Sequence, residues 1–241
     1  MNRLHWTLLA GLGASCAAHA DTVDMACVAN GNGRVVRASL GAQSWDVFAG
    51  RLIHETSGGT GSLAGLPSTI VTFCAEILQS QAAAPTSYSL SSVATLSGNT
   101  GVTNLGFAKQ QAIYDVYAAA AGRQFTLGLD YACAFQLALW EVIYDYNTAP
   151  RGSVGLDVTG GNFRAAGLGG AALSSNVALV VKDLLSHVGS NSAAGGVVGF
   201  KSPAFQDELY DGGDGPVVPL PGAAWMGVLG LAVAAQRRYR R

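Results

Sequence analysis

Gln136 is an amide in the middle of a largely apolar segment, residues 131–146 (YACAFQLALWEVIYDY). The segment has the length of a helix and apolar residues on every side, a pattern that predicts a buried helix. A buried amide without partners costs about 1–3 kcal/mol, so Gln136 needs hydrogen-bond partners or a chemical role. Trp140 follows Gln136 by four positions and Cys133 precedes it by three, which places the three side chains on nearly one face.

Cysteine thiols are the groups in this sequence that can attack such a carboxamide and leave an activated acyl group. The chain has four cysteines, and Cys16 lies in the signal peptide predicted at residues 1–20, which would leave Cys27, Cys74 and Cys133 in the mature protein. In an oxidising compartment an odd number leaves one cysteine outside any internal disulfide, and three pairings of these residues are open. Cys74 lies in the segment VTFCAEIL, whose composition predicts a buried strand of the same core.

Simpler roles exist for both groups. Gln136 can hydrogen-bond the edge of a neighbouring strand, and Cys74 can be a buried apolar residue or a disulfide partner. His54 and His187 could serve Cys74 as bases. However, His54 lies in a strand-to-turn segment and His187 at the end of a helix, and a solvated or capping histidine is the expected role at such positions. A cysteine–histidine hydrolase is therefore not the favoured interpretation.

The acidic residues predict no second chemical centre. Three of them, Asp115, Glu141 and Asp145, are expected on polar helix faces or at helix ends. The segment DELYDGGDG, residues 207–215, lacks the spacing of an EF-hand loop, so a solvated linker is expected there. Phosphate-binding loops and zinc-ligand spacings do not occur in the sequence, and neither a metal nor a cofactor is expected.

Strand-like segments dominate the chain up to about residue 100. β-branched and aromatic runs are separated by turns rich in glycine and asparagine, such as residues 29–34 (ANGNGR). The predicted strands are RVVRASL, SWDVFAGRLIHE, STIVTFCAEIL and TSYSLSSVATL, the last being a strand or a strand leading into a loop.

Helical periodicity follows in the middle of the chain. Residues 106–123 have Phe107, Gln111, Tyr114 and Ala118 at helical spacing, and Gly122 is placed to end the helix. Residues 131–146 form the second helix, with Asp130 as its candidate cap, and residues from about 173 to 188 form a third, amphipathic one. The segment GGVVGFKS, residues 195–202, is predicted to form a last strand after the third helix. Strands followed by helices predict an α+β fold, with an N-terminal, mainly antiparallel β-sheet or barrel followed by a small helical layer.

Both ends of the chain carry targeting features. A basic start, an apolar run and the small residues Ala18 and Ala20 predict a signal peptide at residues 1–20. At the other end, an apolar stretch at residues 222–235 precedes four arginines, which favour the cytoplasmic side of a membrane. The stretch is shorter than the about 20 residues of a stable membrane-spanning helix. These ends predict export followed by retention at the inner membrane, at least transiently.

The C-terminal motif Val218, Pro219, Leu220 and Pro221, with the apolar stretch and arginines after it, resembles the VPLPA variant of the PEP-CTERM sorting signal. The resemblance implies recognition and removal of residues 217–241 by an exosortase-type membrane enzyme. It also implies delivery to the cell surface or to the extracellular polysaccharide matrix. An ordinary tail anchor is the alternative.

Between these ends, residues 21–210 are predicted to be one domain and residues 211–216 a flexible linker. Residues 21–216 keep 9 of the 14 Lys and Arg and all 15 Asp and Glu, a formal net charge of −6. An acidic domain without a basic patch argues against nucleic acid as a partner.

The segments FCAEIL around Cys74 and FQLALWE around Gln136 and Trp140 resemble the motifs of the bacterial surface thioester domain. In that family a cysteine thiol and a glutamine side chain condense to an internal thioester, with loss of ammonia. The resemblance places the bond between Cys74 and Gln136, shielded by Trp140 and by Phe135, which stands where many members have threonine. Cys27 and Cys133 would then be left to form a disulfide.

The resemblance implies a function in adhesion or in cross-linking a biofilm matrix. The thioester would bind covalently to an amine or hydroxyl of a surface or matrix partner, and the protein would not be an enzyme beyond this self-catalysed step. The alternative is a non-covalent structural protein of the extracellular matrix that is stabilised by a disulfide.

Overall fold

A long antiparallel hairpin opens the fold. The structure, a computed structural model, describes residues 20–97, 104–147, 155–193 and 196–212. Strands β1 (Thr22–Leu40) and β2 (Gln43–Ser57) are joined by a tight turn in which Gly41 has a φ of 59°, a conformation that glycine adopts without steric cost. The prediction of a turn at residues 29–34 is wrong, because β1 continues through them with two register shifts.

Six strands close into an antiparallel ring. The remaining strands among the described residues are β3 (Thr69–Cys74), β4 (Thr86–Ser91), β5 (Phe163–Gly167), β6 (Val197–Lys201) and β7 (Glu208–Asp211). The order around the ring is β2–β3–β7–β6–β4–β1, and the pairing of β1 with β2 closes it. Strand β5 pairs with the C-terminal half of β1, outside the ring. Each strand of the ring therefore has a neighbour on both sides.

The ring separates two apolar cores. The smaller core collects side chains from β1, β3, β4 and β6, and therefore fills the inside of the ring; it includes Val23, Met25, Ile70, Tyr88 and Phe200. The larger core lies between the other face of the strands and the helices. Successive side chains of a strand alternate between faces, so Ile70 belongs to the smaller core and Phe73 to the larger one.

In the part of the chain that the structure describes, four α-helices cover the sheet: α1 (Gly106–Ala120), α2 (Arg123–Thr126), α3 (Leu129–Asp145) and α4 (Ser175–Ser186). Helix α3 is central and packs against α1, α4, β1 and β2. Its residues from 131 to 144 are all buried, which confirms the buried helix that its apolar composition predicts.

Phe107 of α1 is 80% exposed, and the buried residues of that helix include Ile113 and Val116. One local expectation for the helices is wrong. Asp130 does not cap α3 through a side-chain hydrogen bond; it lies in the first turn and pairs with Arg34.

The fold class is confirmed as mixed α+β, with an antiparallel sheet followed by helices. Strand β6 is the predicted closing strand, whereas β5 and β7 were not expected from the sequence. The solvated linker predicted from residue 207 is wrong at its start, because Glu208 and Leu209 of β7 are fully buried. Asp211, the first residue of the predicted linker, is the last residue of β7.

Candidate functional site

Cys74 is the last residue of β3 and lies beyond the point where β2 stops pairing with this strand. Strand β2 pairs with β3 only up to Thr72, opposite Leu52, whereas β7 accompanies β3 up to Cys74. Ala75 donates its N–H to the Asp207 carbonyl, so the backbone groups of Cys74 point away from β7, towards the side that β2 has left. The main chain of Cys74 therefore needs partners from another element.

Gln136 supplies these partners from the middle of α3. The Cys74 N–H donates to Gln136 Oε1 at 2.9 Å, and Gln136 Nε2 donates to the Cys74 carbonyl oxygen at 2.9 Å. The carboxamide thus occupies the place of a peptide group in a neighbouring strand. Gln136 is fully buried and Cys74 nearly so. The structure brings together the two residues that the sequence motifs connect, and it satisfies the buried amide by hydrogen bonding.

Phe135 and Trp140 are both buried on α3, the helix that carries Gln136. Phe135 is fully buried, and its ring centroid lies 4.7 Å from that of Phe73, the residue before Cys74, and 4.9 Å from that of Tyr117. Trp140 is 1% exposed, and its ring centroid lies 6.1 Å from that of Phe163. Both residues are buried on the helix that carries Gln136, which is what the shielding role requires; the role itself stays a prediction.

The chain after β3 folds back over the Cys74 thiol. Gln81 Nε2 lies 3.4 Å from Cys74 Sγ and also donates to Gln206 Oε1. Gln206 donates in turn to the Glu76 carbonyl oxygen, and the Asp207 N–H donates to Glu76 Oε1 at 2.8 Å. This network joins the segment after β3 to the segment before β7 and leaves Cys74 only 4% exposed.

A carboxyl group lies beside the thiol. Glu208 is the residue directly opposite Cys74 in the β3–β7 ladder, it is fully buried, and its Oε2 accepts a hydrogen bond of 2.9 Å from the Thr72 hydroxyl. Burial raises the pKa of Glu208 to about 8, and burial likewise raises the pKa of Glu76 to about 7. The pKa of the Cys74 thiol lies well above its ordinary value, because the group is buried and the charge of Glu208 is near. The resting thiol is therefore neutral, and its reaction needs a proton acceptor.

The other two cysteines lie in different surroundings. Cys27, Cys74 and Cys133 all have free thiols. Cys27 is half-buried, and burial followed by the charge of Glu208 raises its pKa. Cys133 is fully buried on α3, and burial raises its pKa to about 12, against a lowering by Arg34. The disulfide between Cys27 and Cys133 is not formed in this structure and stays a prediction.

Several polar residues that the sequence suggested to be solvated are buried. His54 is fully buried, and burial lowers its pKa to about 4. Asp115 is fully buried and accepts hydrogen bonds from the N–H groups of Gly189 and Ser192, while Glu141 is 1% exposed and accepts one from the Asp157 N–H. These carboxyls tie loops to helices, which corrects the expectation that they line polar faces.

The residues that sequence reasoning missed are Glu208, Thr72 and Gln81. Thr72 has a signal in the sequence, because it precedes Cys74 by two positions and so shares its face of the predicted strand. Glu208 and Gln81 have no such signal, since both reach Cys74 only through long-range pairing.

Other predicted features lie outside the described residues. The signal peptide up to residue 19 and the sorting motif, residues 218–221, belong to this group. Within the described ranges, no helix is long and apolar enough to cross a membrane. The same ranges contain no group of three or more His, Cys, Asp or Glu side chains arranged to hold a metal ion.

Comparisons with known protein families, with curated proteins and with solved structures found no match to this chain.

Proposed function

We propose that this protein is an exported surface or matrix protein that forms an internal thioester between Cys74 and Gln136 and uses it for covalent attachment. The observation that carries the proposal is the pair of 2.9 Å hydrogen bonds that hold the Gln136 carboxamide against the main chain of Cys74, the residue that carries the thiol. Such fixed placement raises the effective concentration of one group at the other, which an unfavourable condensation requires.

The hydrogen bonds also suit the chemistry. The Cys74 N–H donates to Gln136 Oε1, the oxygen that becomes negative when a thiolate attacks the carboxamide carbon. The Sγ–C bond forms, the C–Nε2 bond breaks, and the nitrogen leaves as ammonia with the proton of the thiol. The products are one thioester and one molecule of ammonia, with no oxidant or reductant involved.

Attachment reverses the roles of the groups. An amine of a partner attacks the thioester carbon at Gln136, the bond to Sγ breaks, and Cys74 regains a thiol. The product is an amide, or an ester if the nucleophile is a hydroxyl, so the partner is held covalently. The burial of Gln136 beside Phe135 and Trp140 supports a bond that water hydrolyses slowly.

Export and sorting complete the proposal. The signal peptide would lead the chain across the inner membrane, and the PEP-CTERM-like tail would hold it there transiently until an exosortase-type enzyme acts. The protein would then reach the cell surface or the extracellular matrix, where the partner nucleophile is found.

A non-covalent structural role in the matrix is the second candidate. The observation that favours it is the same pair of hydrogen bonds, because they satisfy the buried amide of Gln136 without any covalent chemistry. The two candidate functions predict different masses for the protein, because only thioester formation releases ammonia.

Mass spectrometry of the intact, non-reduced full-length chain tests the proposal. We expect a mass lower than that of the sequence by one ammonia, beyond any loss of hydrogen through a disulfide. Incubation with methylamine should add one methylamine at Gln136, as located by peptide mapping. Cys74→Ala should abolish both changes, whereas Cys133→Ala, at another buried cysteine, should keep them. If the protein has lost no ammonia and no methylamine is found at Gln136, the thioester is refuted and the non-covalent role remains.

A further inference from the structure

We propose that the Glu208 carboxylate takes the proton of the Cys74 thiol and delivers it to the leaving nitrogen of Gln136, an inference that rests on the thioester proposed above. The proposal gives a chemical role to a fully buried carboxyl group on a strand that the sequence did not predict.

The ladder between β3 and β7 places the two side chains next to each other. Cys74 and Glu208 are directly opposite, and the adjacent pair, Ala75 and Asp207, is joined by a backbone hydrogen bond of 2.9 Å. Cys74 and Glu208 therefore form the non-hydrogen-bonded type of antiparallel pair, in which the side chains approach most closely.

The hydrogen bonds of Glu208 leave one oxygen for the thiol. The Thr72 hydroxyl, two residues before Cys74 on the same face of β3, donates to Glu208 Oε2. Glu208 Oε1 is buried and has no hydrogen-bond partner among the described residues. Gln81 Nε2 lies 3.4 Å from Cys74 Sγ and is close enough to the Glu208 carboxyl group to lower its pKa, so Gln81 adjoins both the sulfur and the carboxyl group. A buried carboxyl oxygen without a partner, beside a nucleophile that must lose a proton, fits the role of an acid–base group.

The charge environment keeps both protonation states of Glu208 within reach. Burial raises the pKa of Glu208 to about 8, so the group changes its protonation state near neutral to mildly alkaline pH. The ionisable groups near it come from β1, β3, β4, α1 and the segments around β7: Cys27, Cys74, Glu76, Asp207, Tyr88 and Tyr117. The charges of Asp207 and Glu76 favour the neutral form of Glu208. The thiols and phenols are uncharged near this pH, because burial raises their pKa.

The proton balance of the reaction is closed by this single group. The ionised carboxylate accepts the Sγ proton as Sγ attacks the carboxamide carbon. The resulting carboxylic acid then protonates the nitrogen as the C–N bond breaks, and ammonia leaves. Glu208 ends the cycle as a carboxylate, ready to accept a proton from an attacking amine and return it to Sγ.

The test follows thioester formation during folding of the full-length chain. Protein unfolded in urea, with a mass equal to its sequence, is diluted into buffer, and samples are quenched in acid and weighed by intact mass spectrometry. Glu208→Gln keeps an oxygen for the Thr72 hydroxyl but cannot accept a proton. Glu141→Gln is the matched control, because Glu141 is also a buried glutamate whose pKa is raised to about 8 by burial, but it bonds Asp157 rather than facing the thiol.

We expect Glu208→Gln to slow the loss of ammonia by at least about a hundredfold, and Glu141→Gln to leave it within about threefold of wild type. The wild-type rate should rise with pH through about 8, and this dependence should be lost in Glu208→Gln. Circular dichroism shows whether the variant folds; if it does not, the wild-type pH profile decides alone.

Three results would overturn the inference. Equal rates in wild type and folded Glu208→Gln, or a wild-type rate that does not change between pH 6 and about 9, would remove the role of Glu208 and leave the thioester intact. A wild-type chain that folds and never loses ammonia would remove the thioester and the role of Glu208 together.

Discussion

Replacing Gln136 by methionine measures what its hydrogen bonds contribute to the fold. Methionine is similar in length and unbranched, so it fills the same space but offers no amide. The experiment belongs in a Cys74→Ala background, which cannot form a thioester and keeps the main-chain N–H and C=O at position 74. In that background the substitution removes only the two 2.9 Å hydrogen bonds.

The magnitude follows from the lack of alternative partners. Strand β2 has left β3 at this point, and β7 hydrogen-bonds the neighbouring residues on the other side of the strand. Both main-chain groups at position 74 therefore become unpaired inside the core, at about 1–3 kcal/mol each. We expect the free energy of unfolding to fall by about 2–6 kcal/mol, a large part of the about 5–15 kcal/mol typical of a domain.

Urea unfolding, followed by circular dichroism, gives this free energy directly. Gln124→Met is the matched control, because Gln124 is also fully buried but neither atom of its amide has a hydrogen-bond partner among the described residues. Its replacement should cost nothing or should stabilise the protein, since an unpaired buried amide is removed. If Gln136→Met costs no more than Gln124→Met, the idea that Gln136 replaces a strand at Cys74 is wrong.

Two further predictions concern buried carboxyl groups. Asp115→Asn should lower the free energy of unfolding at pH 7 by about 1–3 kcal/mol, because an amide donor would face the N–H groups of Gly189 or Ser192. Burial raises the pKa of Asp115, but hydrogen bonds from these N–H groups bring it below its ordinary value. The stability difference between wild type and Asp115→Asn should therefore shrink when urea titrations are run at pH values below the folded pKa of Asp115. A difference that does not change with pH would contradict this. Burial raises the pKa of Glu141 from 4.5 to about 8, so the folded state holds a proton that the unfolded state has lost, and stability should fall as pH rises between these values. The slope from this group is at most about 1.4 kcal/mol per pH unit, and the melting temperature of Glu141→Gln should depend less on pH than that of wild type; parallel curves would refute it.

The burial of α3 could be predicted from a local signal, whereas the contact of Cys74 with Gln136 could be predicted only through the resemblance of their two motifs to the thioester domain. An apolar helix must be covered, and a lone amide within it must find a partner. The same local logic predicts β3, whose β-branched and aromatic residues precede Cys74.

Strand β7 and the position of Glu208 could not be predicted, because the information lies in distant strands. Residues 208–211 contain two acids and are followed by glycine, a composition typical of solvated loops. They form a strand because β3 and β6 each offer a free edge at the right separation. His54 likewise lies next to Glu55 in a segment of solvated appearance, and only the pairing of β2 with both β1 and β3 buries it.

The ring of strands also affects the order in which the chain can fold. Strand β7 lies between β3 and β6 and pairs with both, and Thr72 and Glu208, which hydrogen-bond across the β3–β7 ladder, are 136 positions apart. Closing so long a loop costs conformational entropy before any contact repays it, and non-local pairing of this kind slows folding. A chain synthesised from its N-terminus exposes the edge of β3, with Cys74 at its end, until the last strand arrives. We therefore expect the pairing of β7 to be the late step that commits the chain to its native state, and a chain that stops before Glu208 to aggregate through the open edges of β3 and β6.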